Sequence, residues 1–118
     1  MGGARLLVVD DEAPLLELLR KYLERLGYRV DACISAEQAW DLFDADPSGY
    51  SLVITDLTLP GTSGEDLLVR MRARHPALRA IVSTGYPHVP QSPRTGFVQK
   101  PFLPKTLAAE IERILKTG

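Results

Sequence analysis

The sequence predicts a single α/β domain in which a parallel β-sheet lies between two layers of helices. Short, continuous apolar runs alternate along the chain with longer segments whose apolar residues recur at helical spacing. Parallel strands need crossover connections, and helices are the usual crossovers, so this alternation favours a sheet covered on both faces. A length of 118 residues suits one compact core. We therefore expect residues 1–118 to form one domain.

The first predicted strand and helix are sharply bounded. Residues 5–9 form a short apolar run, as expected of a strand buried on both faces, and Asp10-Asp11-Glu12 ends it. A helix follows, with Pro14 in its first turn and Gly27 as its C-terminal stop. Residues 28–32 predict a weaker second strand. The apolar stripe of the helix consists of Leu15, Leu16, Leu18, Leu19, Tyr22, Leu23 and Leu26.

The middle of the chain repeats this arrangement. Ser35 and Gln38 have the spacing of a capping box and open a second helix, which residues 47–49 end. Residues 52–55 form another apolar run that closes on Asp56 and predicts a third strand. The apolar positions of the second helix are Ala39, Leu42 and Phe43.

The C-terminal half supplies two helices and two strands. Ser63 is a suitable N-cap for a third helix, which His75-Pro76 ends. Residues 80–83 and 96–99 predict the fourth and fifth strands, and Pro104 opens the final helix. The apolar positions of these two helices are Leu67, Leu68 and Met71, then Leu107, Ala108, Ile111, Ile114 and Leu115.

Five strands connected in this way suggest a flavodoxin-like doubly wound sheet of order 2-1-3-4-5. Between the fourth and fifth strands, the ten residues 86–95 include Pro87, Pro90 and Pro93. Interior prolines remove hydrogen-bond donors and clash with the preceding helical turn, so we expect a helix here to be short or missing. Leu103 precedes Pro104 where a capping side chain is expected, which predicts poorly capped N–H groups at the start of the final helix.

Composition excludes several classes of protein. The net charge is −1, with 14 basic and 15 acidic residues, so no overall field attracts nucleic acid or an anionic membrane. Neither a signal peptide nor a long apolar run is present, which predicts a cytoplasmic protein without membrane insertion. Cys33 is the single cysteine and is interpreted as a small buried apolar residue. Met1-Gly2-Gly3 is consistent with residues added for expression of a piece of a longer protein.

Polar residues follow four of the five predicted strands. They are Asp10-Asp11 after the first strand, Asp56 after the third, Thr84 after the fourth and Lys100 after the fifth. Each alone could be an ordinary loop residue, but ligands of such sheets bind beyond the carboxyl ends of the strands, where these residues converge. Three carboxylates in one cleft repel one another unless a cation is present. Oxygen ligands without a Cys or His cluster favour Mg²⁺.

Four segments resemble the receiver domains of two-component signalling. They are residues 8–12 (VVDDE), 56–61 (DLTLPG), 83–85 (STG) and 100–102 (KPF). This resemblance implies that Asp56 is the phosphorylated nucleophile, and that Lys100 and Thr84 assist the transfer. It also implies a Mg²⁺ site in which Asp56 and Asp11 bind the ion directly. Asp10 would act through water or as a positioning carboxylate, and the backbone carbonyl of Thr58 would complete the protein ligands.

The resemblance further implies a conformational switch and a partner. Thr84 would turn toward a phosphorylated Asp56, and the ring of Phe97 would move into the space that Thr84 leaves. The Lys100–Pro101 bond would match the family's cis peptide. The donor would be a histidine kinase or a histidine phosphotransfer domain. We expect it to dock on the first helix around Pro14, Leu15 and Leu18 and on the loop after Lys100, and the domain to remain monomeric.

The stretches GYP at residues 85–87 and FVQKPF at residues 97–102 resemble receivers attached to hybrid sensor histidine kinases. A stand-alone response regulator remains an alternative. In either case we expect a signalling domain that catalyses its own phosphorylation and dephosphorylation, rather than an enzyme with an external substrate.

Three other functions stay open at the level of sequence. A Mg²⁺-dependent phosphatase with an aspartate nucleophile is disfavoured by the order of the motifs. Such enzymes typically have the nucleophile on the first strand and a second aspartate two positions later, whereas here the first-strand acids are adjacent and Asp56 follows the third strand. A flavin or nucleotide binder is disfavoured by the acidic first turn. A receiver-like module that binds a partner without phosphotransfer is the third alternative, and the full set of acids with Lys100 argues against it.

Overall fold

The computed structural model describes residues 3–86 and 94–116, and in them five parallel strands form one sheet. The strands lie in the order β2-β1-β3-β4-β5, so β2 and β5 are the edges. This arrangement confirms the predicted doubly wound sheet and its strand order. The strands are β1 (Arg5–Val9), β2 (Arg29–Cys33), β3 (Leu52–Asp56), β4 (Ala80–Thr84) and β5 (Thr95–Gln99).

In the described residues, α-helices and one short 3₁₀ helix connect the first four strands, and a further α-helix follows β5. The prediction of a short or missing helix between β4 and β5 concerns residues 86–95, of which residues 87–93, with all three prolines, lie outside the described residues. The helices are α1 (Ala13–Arg25), α2 (Ala36–Ala45), α3 (Gly64–Arg74) and α4 (Pro104–Leu115), and the 3₁₀ helix is Pro47–Gly49.

The helix ends follow local chemistry. Gly27 ends α1 with a φ of 103°, a conformation that favours glycine. Ser35 Oγ accepts the backbone N–H of Gln38 at 3.2 Å, and the Gln38 side chain in turn accepts an N–H at 3.1 Å, from Ile34 rather than from the N-cap residue itself. Ser63 caps α3 by accepting the N–H of Asp66 at 3.1 Å.

Leu103 is the N-cap residue of α4 and has no side chain that can accept a hydrogen bond, as predicted. Its backbone carbonyl accepts the N–H of Thr106 at 2.9 Å instead. Pro104 occupies the first turn and has no N–H to satisfy. The start of α4 is therefore stabilised by backbone geometry rather than by a side-chain cap.

Two apolar clusters cover the two faces of the sheet. One cluster joins alternate residues of β1, β3 and β4 to α2 and α3, and it includes Phe43, Leu67 and Met71. The other joins the intervening strand residues to α1 and α4, and it includes Leu23 and Ile111. Because successive side chains of a strand point to opposite faces, the continuous apolar runs of the sequence supply both clusters.

The second strand begins one residue later than predicted. Tyr28 donates its N–H to the carbonyl of Leu23 at 3.2 Å and so belongs to the turn that ends α1. The strand then runs to Cys33, which pairs with Val9 and is almost fully buried, as predicted for this residue. Within residues 3–86 and 94–116, no helix combines the length and the apolar character that a membrane span requires.

Candidate functional site

The carboxyl edge of the sheet brings together acids from two neighbouring strands. β1 and β3 are paired in parallel, so Asp10 after β1 and Asp56 at the end of β3 lie side by side. Carboxylate oxygens of Asp10, Asp11 and Asp56 all lie within 4.8 Å of one another. Asp10 and Asp56 are buried, whereas Asp11 is exposed. Three acids that the sequence places at two strand ends thus form one cluster.

Lys100 reaches this cluster from the end of β5. Its Nζ lies 2.9 Å from Asp56 Oδ2, 3.0 Å from Asp10 Oδ2 and 2.9 Å from Glu12 Oε1. Its backbone N–H bonds the carbonyl of Thr84 at 2.8 Å, which continues the pairing of β5 with β4. The Lys100–Pro101 peptide bond is cis, as the resemblance implies. One ammonium group therefore contacts acids that follow two other strands.

Burial and neighbouring charges shift the pKa values of Lys100 and Asp10. Burial opposes the charged form of Lys100, but hydrogen bonds to Asp56, Glu12 and Asp10 outweigh it and raise the pKa of the ammonium group. Burial raises the pKa of Asp10, although the N–H of Glu12 and the ammonium of Lys100 act in the opposite direction. Lys100 is consequently a fixed positive charge at neutral pH.

Backbone N–H groups orient the two buried carboxylates. Asp10 Oδ1 accepts the N–H of Glu12 at 2.8 Å, and Asp56 Oδ1 accepts the N–H of Thr58 at 3.1 Å. Each carboxylate therefore bonds a loop N–H with one oxygen and Lys100 with the other. The role of the Thr58 carbonyl as a metal ligand stays a prediction.

The first turn of α3 packs against the backbone of Asp56. Gly64 is the first residue of α3, and its N–H donates to the carbonyl of Leu57 at 3.0 Å. A Cβ at Gly64 would overlap the backbone carbonyl of Asp56. Only glycine therefore allows α3 to approach the end of β3 this closely.

The two predicted switch residues lie on adjacent strands. Thr84 is the last residue of β4 and is buried, and it follows Ser83, the register partner of Asp56. Phe97 pairs with Val82 and packs, half-buried, against the cluster that contains α2 and α3. Thr84 thus lies one residue beyond the register partner of Asp56. Phe97 lies on β5, the next strand of the sheet. Their movement on phosphorylation stays a prediction.

Glu12 is the one member of the Lys100 ion-pair group that the sequence analysis did not identify as a site residue. It lies in the acidic run that ends the first strand, and that run was the available signal. Its exposed carboxylate is the third partner of Lys100. A third acid in a loop is also typical of ordinary solvated turns, so the sequence pattern alone does not distinguish Glu12 as a site residue.

Comparison with known proteins decides the family. The model of the response regulator receiver domain matches residues 6–112 of the chain, which is most of its length. The chain belongs to this family. It is a receiver domain of two-component signalling, and the resemblance found in its motifs is confirmed.

Relatives of this receiver domain differ in overall size. It is 28% identical over 98% of its length to the sensor kinase CckA of Brucella abortus and 35% identical over its whole length to the regulator NtrC of Azospirillum brasilense. It spans only 13% and 25% of those two proteins. It is 31% identical to the chemotaxis protein CheY1 of Helicobacter pylori and spans 98% of that protein.

Solved structures agree with this assignment. The receiver domain from the hybrid histidine kinase CckA superposes with a TM-score of 0.87 at 26% identity, and the match covers 96% of this chain and all of that one. A receiver domain from Clostridium thermocellum gives 0.85 at 25% identity, with 95% and 94% covered. The predicted likeness to receivers of hybrid kinases is thus confirmed, alongside comparable likeness to other receivers.

The acid cluster has the chemistry of a Mg²⁺ site, which receiver domains generally contain. Asp10, Asp11 and Asp56 offer hard carboxylate oxygens, the ligands that Mg²⁺ prefers. With Glu12 nearby, four carboxylates face the single ammonium of Lys100. The excess of negative charge favours a further cation at this edge of the sheet.

Proposed function

We propose that this receiver domain accepts a phosphoryl group onto the carboxylate of Asp56 from a phosphohistidine donor, with Mg²⁺ as cofactor. The observation that carries this proposal is the position of Asp56. Its carboxylate is buried at the end of β3, lies in the acid cluster with Asp10 and Asp11, and contacts Lys100 at 2.9 Å. We further propose that residues 1–118 form this one domain and act without an external substrate.

In the proposed step, a carboxylate oxygen of Asp56 attacks the phosphorus of the donor. The new O–P bond forms while the P–N bond to the donor imidazole breaks, and the imidazole nitrogen keeps the bonding electrons and takes up a proton. The product is an aspartyl phosphate. Because phosphoryl transfer depends on position and charge more than on nucleophile strength, a fixed carboxylate suffices.

Three groups of the chain would hold the ion, namely the carboxylates of Asp10, Asp11 and Asp56. When bound, Mg²⁺ offsets negative charge on the transferring phosphoryl group. The carbonyl of Thr58, in the loop after β3, would be a further ligand. Its N–H donates to Asp56 Oδ1 at 3.1 Å, so a hydrogen bond joins this loop to the proposed nucleophile.

Lys100 would act as the fixed positive charge of the transfer. Its contacts with Asp10, Glu12 and Asp56 keep the ammonium group at the site before a donor arrives. A phosphoryl group on Asp56 brings new acceptor oxygens to the same place, to which the ammonium can donate. This arrangement costs little reorganisation during the reaction.

The proposed output is a rearrangement of Thr84 and Phe97. A hydroxyl drawn toward the aspartyl phosphate would vacate space near Phe97, whose ring is half-buried against the core. The phosphoryl group then shifts a balance that already exists between two ring positions.

Labelling with acetyl phosphate tests the phosphorylation proposal. Intact-mass measurement should find one added phosphoryl group in the presence of Mg²⁺, much less after chelation, and none in Asp56→Asn, because the amide is not a nucleophile. Asp41→Asn is a matched control, since it alters an exposed acid on α2. Labelling of Asp56→Asn at the wild-type rate would remove Asp56 from this role. Absence of labelling in wild type would favour an interaction module instead.

The donor would be a histidine kinase or a histidine phosphotransfer domain that docks beside the site. A cleft of about 400 Å³ is lined by Glu12, Leu15, Lys100, Pro101 and Phe102, and so connects α1 with the loop after β5. Leu18, three residues after Leu15 on the same helix, is 52% exposed, and Leu103, which follows Phe102, is 58% exposed. A helical partner could cover this apolar surface while its histidine faces Asp56.

Leu18→Glu separates docking from chemistry. We expect it to slow transfer from a phosphorylated histidine phosphotransfer domain by about tenfold or more, because a charge would be buried at the interface. Labelling by acetyl phosphate should stay at the wild-type rate. Val69→Glu on α3, where Val69 is 70% exposed, is the matched control and should affect neither rate. Equal effects of both variants on transfer would place the docking surface elsewhere.

A further inference from the structure

The backbone N–H of Phe97 points away from the sheet. β5 is an edge strand whose single neighbour is β4. The carbonyl of Arg94 and the N–H of Lys100 both bond β4, at 2.9 and 2.8 Å. In a parallel strand, the backbone N–H and C=O groups of every second residue face the same neighbouring strand. Since those of Arg94 and Lys100 face β4, the N–H of Phe97 faces away from the sheet. An outward N–H of an edge strand ordinarily faces solvent or an added strand.

Here a side chain of α4 accepts that N–H. Phe97 donates to Glu110 Oε2 at 3.2 Å. The contact depends on Gly96, since a Cβ at that position would overlap Glu110 Oε2 and press against the side chain of Ile114. The missing side chain of Gly96 therefore leaves a notch over β5, and the Glu110 carboxylate lies in it.

Arg113 holds the carboxylate in this position. Its Nε donates to Glu110 Oε1 at 2.9 Å and its Nη2 to Oε2 at 2.6 Å. The Glu110 side chain is only 18% exposed, whereas that of Arg113 is 61% exposed. The Arg113 bond lowers the pKa of Glu110, with a smaller contribution from the Phe97 N–H and against the effect of burial. Glu110 is thus a charged, oriented acceptor at neutral pH.

We propose that Glu110 is a positioning residue for the aromatic switch: it anchors the backbone of Phe97 in the unphosphorylated domain and opposes rearrangement of this residue. The effect on switching rests on the proposed function, in which Phe97 moves on phosphorylation. A hydrogen bond to a charged acceptor stabilises the conformation that contains it. The proposal includes that the rearranged conformation reacts faster with a phosphodonor, so loss of this bond should increase the fraction of molecules in that conformation and speed phosphorylation.

Amide exchange tests the anchor without any phosphorylation. In the unphosphorylated protein, Glu110→Ala should speed exchange of the Phe97 amide by about tenfold, because its acceptor is lost. Glu110→Gln keeps an acceptor oxygen but loses the charge that pairs with Arg113, so its exchange rate should fall between those of wild type and Glu110→Ala. Glu112→Ala is the matched control, since Glu112 lies on the same helix and is exposed. Unchanged exchange of Phe97 in Glu110→Ala, with buried β3 amides also unchanged, would overturn the proposal.

The rate of labelling by acetyl phosphate at saturating Mg²⁺ tests the coupling to the switch. Glu110→Ala should be labelled about three- to tenfold faster than wild type, Glu110→Gln at an intermediate rate, and Glu112→Ala at the wild-type rate. Faster Phe97 exchange with an unaltered labelling rate would overturn the coupling, although the anchor would stand. Failure of wild type itself to be labelled would instead refute the proposed phosphorylation, and the exchange result would still decide the anchor.

Discussion

At the scale of single residues, the site combines an excess of negative charge with carboxylates that backbone N–H groups orient. Lys100 places one positive charge among the carboxylates of Asp10, Glu12 and Asp56, and Asp11 lies within reach of the same cluster. Asp10 and Asp56 are each oriented by a loop N–H. Like charges this close disfavour one another, so a divalent cation would stabilise the folded arrangement as well as assist chemistry.

The two adjacent acids should differ in their contribution to Mg²⁺ binding. Asp10 bonds the N–H of Glu12 and the ammonium of Lys100, whereas Asp11 is exposed and can turn its carboxylate to the ion. We expect Asp11→Ala to weaken Mg²⁺ affinity by about tenfold or more and Asp10→Ala to weaken it less. Isothermal titration with Mg²⁺ measures both affinities.

The control for this comparison is Asp41→Ala, which removes an exposed acid of α2 and the same unit of charge. It should bind Mg²⁺ like wild type. Equal affinity in all four proteins would mean that the acidic pair is structural and that other groups hold the ion. A larger loss in Asp10→Ala than in Asp11→Ala would exchange the two assigned roles.

The residues of the site were predictable to different degrees. Asp10, Asp56 and Lys100 each follow a buried apolar run, and parallel strands end at one edge, so pattern and topology together predict their convergence. Glu12 was not predicted, because its part depends on where the long Lys100 side chain points. The N–H that Thr58 donates to Asp56 depends on loop geometry, which the residue types do not determine.

At the scale of elements, the junction between β3 and α3 determines where the Asp56 backbone lies. Helix α3 begins at Gly64, whose N–H bonds the carbonyl of Leu57, and Ser63 caps the helix. The absence of a Cβ at Gly64 lets this first turn touch the Asp56 carbonyl. The first turn of α3 therefore packs directly against the backbone of Asp56.

Gly64→Ala should disturb this support. The added methyl group would overlap the Asp56 carbonyl, so we expect the free energy of unfolding to fall by ~1–3 kcal/mol. Urea denaturation measures the change. Gly85→Ala is the control, because a Cβ at Gly85 would have no atom of the described residues within 4 Å. An unchanged midpoint in Gly64→Ala would show that α3 can shift away from β3 without cost.

Elements were more predictable than the contacts between them. Helical periodicity and caps such as Ser35 and Ser63 placed the helices of the described residues, because those signals are local. The start of β2 was misplaced by one residue, since Tyr28 bonds back to α1. The bond between Glu110 and Phe97 could not be predicted, because it depends on how α4 packs over the notch at Gly96.

At the scale of the whole molecule, the acid site lies where β1 and β3 end, and both strands contribute residues to the two apolar clusters on opposite faces of the sheet. An ion bound at this site would stabilise the folded chain by mass action, and metal binding would then be linked to the folding equilibrium. Cys33 can report on this equilibrium. It ends β2, is 1% exposed and packs in the same cluster as Val9 and Phe43.

The Cys33 thiol should react only when the chain opens. Burial, with a smaller effect of the Asp31 charge, raises its pKa to about 11, so at pH 8 only about 0.1% would be thiolate in the folded state. In denaturant an ordinary thiol, with a pKa of about 8.5, is about one quarter thiolate at this pH, so we expect modification by a disulfide reagent to be at least about two-hundredfold slower in the folded state. Because Mg²⁺ binds only the folded state in this scheme, ten times its Kd should slow the reaction a further tenfold or so.

Asp11→Ala supplies the control for this last prediction. It should react at a rate that barely changes over the same range of Mg²⁺, since the affinity for the ion is reduced. If the Cys33 thiol of wild type reacts fast and its rate does not depend on Mg²⁺ concentration, the β2 edge opens locally without unfolding of the acid site. β2 is an edge strand paired with β1 alone, so local opening is the specific alternative that the Mg²⁺ series distinguishes from global unfolding.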